Sequence, residues 1–120
     1  MDIQCKRCDE VKDSSLFCKH NGYKNGHVSW CRACVSEYNI ARGRYHKVII
    51  DRYKTIVGCT DCGYRAHAEA LYFDHLPQFE KRFEVCARNY NKARKTILAE
   101  MAKCEVVCSN CHRVRTARRR

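Results

Sequence analysis

Long apolar runs are missing from this chain, and nothing in it approaches the roughly 20 consecutive apolar residues of a membrane-crossing helix. A membrane-spanning protein is therefore set aside, and no membrane partner is expected. The opening Met1-Asp-Ile-Gln-Cys5 also lacks the apolar core of a secretory signal. Low-complexity tracts and long internal repeats are absent as well, which excludes a repeat array. Proline occurs once, at position 77. Acidic residues are scarce, 13 Asp and Glu against 24 Lys and Arg, for a formal net charge of +11. At 120 residues, neither half of the chain could bury a large apolar core, so it needs staples of some other kind.

Cysteine supplies the staples. There are 11, and eight of them form four C-x-x-C pairs: Cys5/Cys8, Cys31/Cys34, Cys59/Cys62 and Cys108/Cys111. That is the spacing of metal knuckles rather than of a disulfide framework. Each double pair can close a tetrahedral structural zinc, giving two zinc ions per chain. The odd cysteine count suits metal sites with spare thiols, and reduced thiols point to the cytoplasm. With two four-thiolate zinc sites counted, the net charge falls to about +7, still strongly basic. Lys and Arg concentrate in segments 42–54, 81–95 and 113–120. A polyanion is the simplest partner for such a chain, and DNA is expected.

Along the chain, residues 1–38 read as a zinc-ribbon-like unit, with a short hairpin turning at Asn25-Gly26. Cys18, His20 and His27 lie between its cysteine pairs but are the weaker ligand candidates. From Val35 to about Val57 the pattern turns helical, with residues 39–57 as a linking helix. Tyr38, Tyr45, Ile49, Tyr53 and Ile56 fall on one face of it, Gly43 marks a bend or break, and His46 reads as a phosphate contact or solvent-facing. Residues 58–120 form the third part, with a basic tail. In it, Ala70 to Pro77 reads as a strand ending in a loop, and 88–103 carries a second helical stripe of Tyr90, Ala93, Ile97 and Met101. Glu105-Val-Val is a second strand. Ser109 or Asn110 is placed to cap a final helix bearing His112 and Arg113. Cys18, Cys86 and Cys104 read as small buried hydrophobes, and His67 as a surface residue.

Chemistry concentrates at Asp74, His75 and His112. A carboxylate and an imidazole that share a hard divalent ion, with another imidazole to take a proton, equip a chain for metal-assisted phosphodiester hydrolysis. Successive strand residues face opposite ways, so Asp74 and His75 are expected to act together where the strand gives way to a loop before Pro77. Folding around the thiolate-held ion is expected to bring residues 74, 75 and 112 into one pocket.

Phe73-Asp74-His75, with Cys104-Glu-Val-Val-Cys108-Ser-Asn-Cys111-His112-Arg113 and Thr116, resembles the HNH endonucleases. The zinc-bearing arrangement is similar to phage recombination endonuclease VII and related small phage HNH proteins. The resemblance runs from about Gly58 to Thr116, and more loosely over the N-terminal unit. It implies a small α+β fold, a ββα-metal module stapled by a four-cysteine zinc site and preceded by the zinc-ribbon-like unit and linking helix. It implies that His75 is the general base and that Asp74 and His112 hold a catalytic Mg2+ or Mn2+. It also places a phage-encoded protein in the host cytoplasm, with homodimer among the oligomeric states left open.

One departure stands out. Lys103, followed by Cys104, occupies the position of the central Asn that orients the base-bearing loop in many HNH enzymes. That role passes to a backbone carbonyl or to Asn89 or Asn91, or else the enzyme is impaired. Arg113 is the candidate for gripping the scissile phosphate. Lys81 and Arg82 are further phosphate contacts, and Arg118, Arg119 and Arg120 an electrostatic, disordered tail. The expected function is metal-dependent cleavage of DNA; the alternative is a non-catalytic zinc-ribbon DNA-binding or adaptor protein.

Overall fold

The computed structural model describes residues 1–119, and it divides into a unit at Met1–Ala41 and a larger one at Arg42–Arg120. Both are small α+β units. The first opens with strands β1 (Asp2–Gln4) and β2 (Val11–Asp13), paired antiparallel around Cys5 and Cys8. A second hairpin follows, β3 (Phe17–Lys19) against β4 (His27–Cys31). Its turn runs over residues 20–26 rather than closing at Asn25-Gly26 alone: His20 N–H donates to the Gly26 carbonyl at 2.8 Å, and Gly26 takes a positive φ of 76°. Phe17, Cys5, Cys31 and Cys34 form the core, with Ile3 and Trp30 against them. So thin an apolar core depends on its sulfurs.

Helix α1 (Arg32–Val57) is continuous over 26 residues, and Gly43 does not break it into two. It starts directly after Cys31, earlier than the apolar pattern alone places it. The stripe of Tyr38, Tyr45, Ile49, Tyr53 and Ile56 faces outward, between 40% and 66% exposed. Periodicity identifies a face, and the fold decides which face is covered. Here Cys34, His46 and Ile50 are the buried ones. His46 is therefore neither solvent-facing nor a phosphate contact: its Nδ1 lies 2.6 Å from the Tyr90 carbonyl, a buried polar pair.

The second unit is organised on one hairpin, β5 (Leu71–His75) against β6 (Cys104–Cys108), in register from Leu71↔Cys108 to His75↔Cys104. Helix α2 (Arg94–Met101) is eight residues long, shorter than the 88–103 segment expected, because Ala87–Asn89 forms a separate 3-10 turn. Tyr90, Ile97 and Met101 are buried all the same. They pack with Ile50, Leu71, Phe73, Val85, Val106 and Val107. Val106 and Val107 are neighbours pointing to opposite faces and both are buried, so β6 is covered on its two sides. Helix α3 (Ser109–Arg118) contacts both strands of this hairpin. Leu71 is 1% exposed at the centre of this core. Leu71→Ala is expected to destabilise the unit by about 2–5 kcal/mol, read by urea denaturation of zinc-loaded protein.

No helix is long and apolar enough to cross a membrane among the described residues.

Candidate functional site

Cys5, Cys8, Cys31 and Cys34 gather in the first unit and Cys59, Cys62, Cys108 and Cys111 in the second, the sulfurs of each set all within 4.8 Å of one another. Zinc tests well against this geometry. Arms of about 2.3 Å make a tetrahedron with edges of about 3.8 Å. Cys5 and Cys34 sulfurs lie 3.7 Å apart, Cys62 and Cys108 sulfurs 3.6 Å.

Both clusters are built to one plan. Cys5 N–H donates to the Glu10 carbonyl at 2.9 Å and Asp9 N–H to the Cys5 carbonyl at 2.8 Å; Cys59 and Tyr64, then Gly63 and Cys59, repeat these bonds at 2.8 and 2.9 Å. The residue after each knuckle has positive φ, 65° at Asp9 and 80° at Gly63, a conformation open to glycine and tolerated by aspartate. Lys6 N–H reaches Ser29, two residues before Cys31, as Thr60 N–H reaches Val106, two residues before Cys108. The third cysteine ends a strand, a helix starts at the next residue, and the fourth lies in its first turn. The two units thus share a backbone scaffold that their sequences, matched only at the cysteines, do not announce.

Either cluster could hold a divalent cation. Burial, then contact with the Cys31, Cys5 and Cys8 thiols, pushes Cys34 up to about 12. Contact with Cys108, then burial, pushes Cys111 up as well. Four crowded sulfurs cannot all ionise alone, whereas a divalent ion lets them. Backbone N–H groups already point at two of the sulfurs: Cys31 to Cys5 Sγ at 3.3 Å and Cys111 to Cys108 Sγ at 3.4 Å. The latter makes Cys108 itself the cap of α3, in place of Ser109 or Asn110. Lys12 Nζ, 3.3 Å from Cys31 Sγ, offsets charge in the first cluster. Cys18, Cys86 and Cys104 stay outside both clusters and are half-buried rather than buried.

The other candidate residues lie on the second hairpin. β5 continues through both Asp74 and His75, paired with Glu105 and Cys104, so no loop intervenes to turn the two side chains the same way. Asp74 is buried and faces α3. Its Oδ2 accepts from Arg115 Nη1 at 2.7 Å, and Arg119 donates to Oδ1 and Oδ2, each at 2.9 Å. Burial opposes its charge, but Arg119 and Arg115 win and hold it below the usual carboxylate range. Arg115 also reaches Glu105 at 2.8 Å and grips Asp61 through two bonds of 2.7 Å. On the same side, His112 stacks on Tyr72 with ring centroids 5.8 Å apart.

His75 turns the other way, toward α2. Its Nε2 donates to Glu100 Oε2 at 2.8 Å, and that carboxylate is 2% exposed. Arg82 N–H donates to the same oxygen at 3.0 Å and Lys103 Nζ to Oε1 at 3.0 Å. Burial would raise Glu100, yet Arg82 N–H, Lys103 and His75 together bring it down from 4.5 to about 2. Its folded value lies below its unfolded one. The stability it contributes is therefore complete above about pH 4.5 and is lost as pH falls toward 2. Wild type is expected to lose more urea resistance between pH 5 and pH 3 than Glu100→Gln does.

The structure thus brings Asp74 and His112 to the α3 side and sends His75 to the α2 side, rather than gathering all three in one pocket. Among the expected phosphate contacts, Arg113 is exposed, Lys81 pairs with Glu84, and Arg82 contributes its backbone to Glu100. Arg118 ends α3, and Arg119 is bound to Asp74, so this stretch is ordered helix end rather than a disordered tail. Arg120 lies outside the described residues. Glu100 and Arg115 were missed. Their only signal in sequence was helical spacing from Lys103 and His112, which says nothing of partners on the hairpin. No family model, curated protein or solved structure matches this chain.

Proposed function

We propose that the second unit is a metal-dependent DNA endonuclease of the HNH type, with His75 as its general base. One observation carries this reading: an imidazole only 10% exposed, held at one nitrogen by a buried carboxylate, sits next in the chain to a buried acid on a zinc-type scaffold. Successive Cα atoms are about 3.8 Å apart, so a phosphate lying across the end of β5 reaches both residues although their side chains diverge.

Asp74 and His112, a hard oxygen and an imidazole nitrogen on one side of the hairpin, are the donors that would hold Mg2+ or Mn2+. When bound, such an ion supplies stabilisation for charge developing on the departing 3′ oxygen. Room for it depends on Arg119, whose side chain is 44% exposed and can leave Asp74 for solvent or for a DNA phosphate. His75 accepts a proton from the attacking water, leaving a 5′-phosphate end. Arg113 and the exposed end of α3 supply charge for the backbone of the DNA.

The guanidinium groups on Asp74 favour a second reading. With both carboxylate oxygens taken, α3 is locked as a rigid basic face, as a non-catalytic zinc-based DNA-binding protein would use it. Incubating a linear duplex, a nicked circle and a four-way junction with Mg2+ or Mn2+ separates the two. Cleavage of any one supports the endonuclease; binding with no cleavage of all three supports the binder.

A further inference from the structure

We infer that Glu100 is the positioning residue of His75, holding the imidazole in the orientation and tautomer that proton abstraction requires. The inference rests on the reading of His75 as base, and it answers the question raised by Lys103 at the place of the central Asn. Neither Asn takes that place: Asn89 Nδ2 donates to the Glu84 carbonyl at 2.7 Å, and Asn91 offers its own carbonyl to Arg42. The partner of His75 is the α2 carboxylate instead.

The geometry around Glu100 is that of a clamp. Oε2 accepts from two directions, the ring of His75 at the end of β5 and the backbone of Arg82 in the following loop. Oε1 is fixed by Lys103, whose Nζ also reaches the Glu80 carbonyl at 2.8 Å. At 2% exposed, the carboxylate has no solvent to turn toward. An ionised carboxylate only accepts, so a neutral His75 carries its proton on Nε2 and keeps its lone pair on Nδ1. Nδ1 has no hydrogen-bond partner among the described residues and is the nitrogen free for water. Lys103 gains a function at once: its ammonium balances Glu100 and keeps the carboxylate an acceptor. The lysine therefore belongs to the replacement for the missing Asn rather than to its loss.

Glu100→Gln isolates the point. A glutamine has one oxygen, while Lys103 on one side and Arg82 N–H and His75 on the other all need an acceptor. Wherever the amide turns, its NH2 meets a donor, and the bond that fixes Nε2–H is weakened or reversed. The first readout is the 15N spectrum of the His75 ring in zinc-loaded protein, without DNA or magnesium. Wild type is expected to show the Nε2–H tautomer, and Glu100→Gln to show a mixture or the Nδ1–H form. The second readout is cleavage: kcat falls roughly 10²- to 10⁴-fold, the range for losing a positioned general base, with KM changed less than about threefold. Glu100→Asp, which keeps a charge at shorter reach, recovers part of kcat.

An Nδ1–H tautomer in wild type would overturn the inference without any variant being made, which covers the case of a glutamine protein that fails to fold. So would a zinc-loaded Glu100→Gln with wild-type kcat. A fall in kcat matched by an equal rise in KM, with the His75 spectrum unchanged, would make Glu100 merely structural and would also overturn it. Failure of the underlying reading looks different: wild type would then cut none of the DNA substrates, or His75→Ala would cut them as wild type does, whatever the His75 spectrum shows.

Discussion

Cys108→Ser is expected to leave the second unit largely unfolded at 25 °C and to lower the zinc content from two ions per chain to one. The magnitude follows from two comparisons. Structural zinc in small four-ligand sites contributes about 10–16 kcal/mol at neutral pH, whereas a whole domain is stable by about 5–15 kcal/mol. Cys108 is also the residue where everything in this unit meets. It ends β6, pairs in register with Leu71, caps α3 by accepting from Cys111 N–H, and contributes a sulfur to the cluster. Without the ion, four crowded sulfurs lose the positive charge that would let them sit together as thiolates. Hydrogen exchange should show loss of protection across β5, β6 and α3, with β1 to β4 retained on their own zinc. A Cys108→Ser protein that keeps two zinc ions and full protection would contradict the metal account.

His75→Ala is expected to abolish cleavage, by roughly 10²- to 10⁴-fold or more, while zinc content and DNA binding persist. The proposed binding would draw on exposed Lys and Arg that His75 does not touch, and the cluster sulfurs lie outside its contacts. The substitution does leave Glu100 buried with one donor fewer, so some loss of stability is expected; Arg82 N–H and Lys103 still satisfy both oxygens. Cleavage assays belong well below the melting temperature, with folding confirmed by zinc content. Undiminished cutting by this variant would remove His75 from the chemistry.

The two units make a useful contrast. Both pair the residue opening a strand with the third cysteine, Phe17 with Cys31 and Leu71 with Cys108. In the first unit β3 stops at Lys19, before the position that Asp74 holds in the second. The scaffold occurs twice and the acid–imidazole pair once, which separates what the fold needs from what the chemistry would need.

Much of this was legible in sequence because cysteine spacing is a local signal. Four C-x-x-C pairs named both clusters, and β-branched Val106-Val107 with Leu71-Tyr72-Phe73 named the hairpin between them. What escaped depended on tertiary register. The α1 apolar stripe indicated a face but not that His46 and Ile50, outside that stripe, would be buried. Cys108 took the capping role from Ser109 and Asn110 because a sulfur held by the cluster already lay at the helix start. The carboxylate on His75 came from a helix read as packing, and the bonds on Asp74 from a tail read as disordered. A buried charge finds its partner wherever the fold brings one, and no spacing rule along the chain records that meeting.

The decisive measurement is relaxation of supercoiled plasmid by wild-type protein carrying two zinc ions, with Mg2+ or Mn2+ added. Nicked or linear product bearing 5′-phosphate ends is the predicted result. Plasmid left fully supercoiled across both metals, by protein that still binds it, would contradict the account.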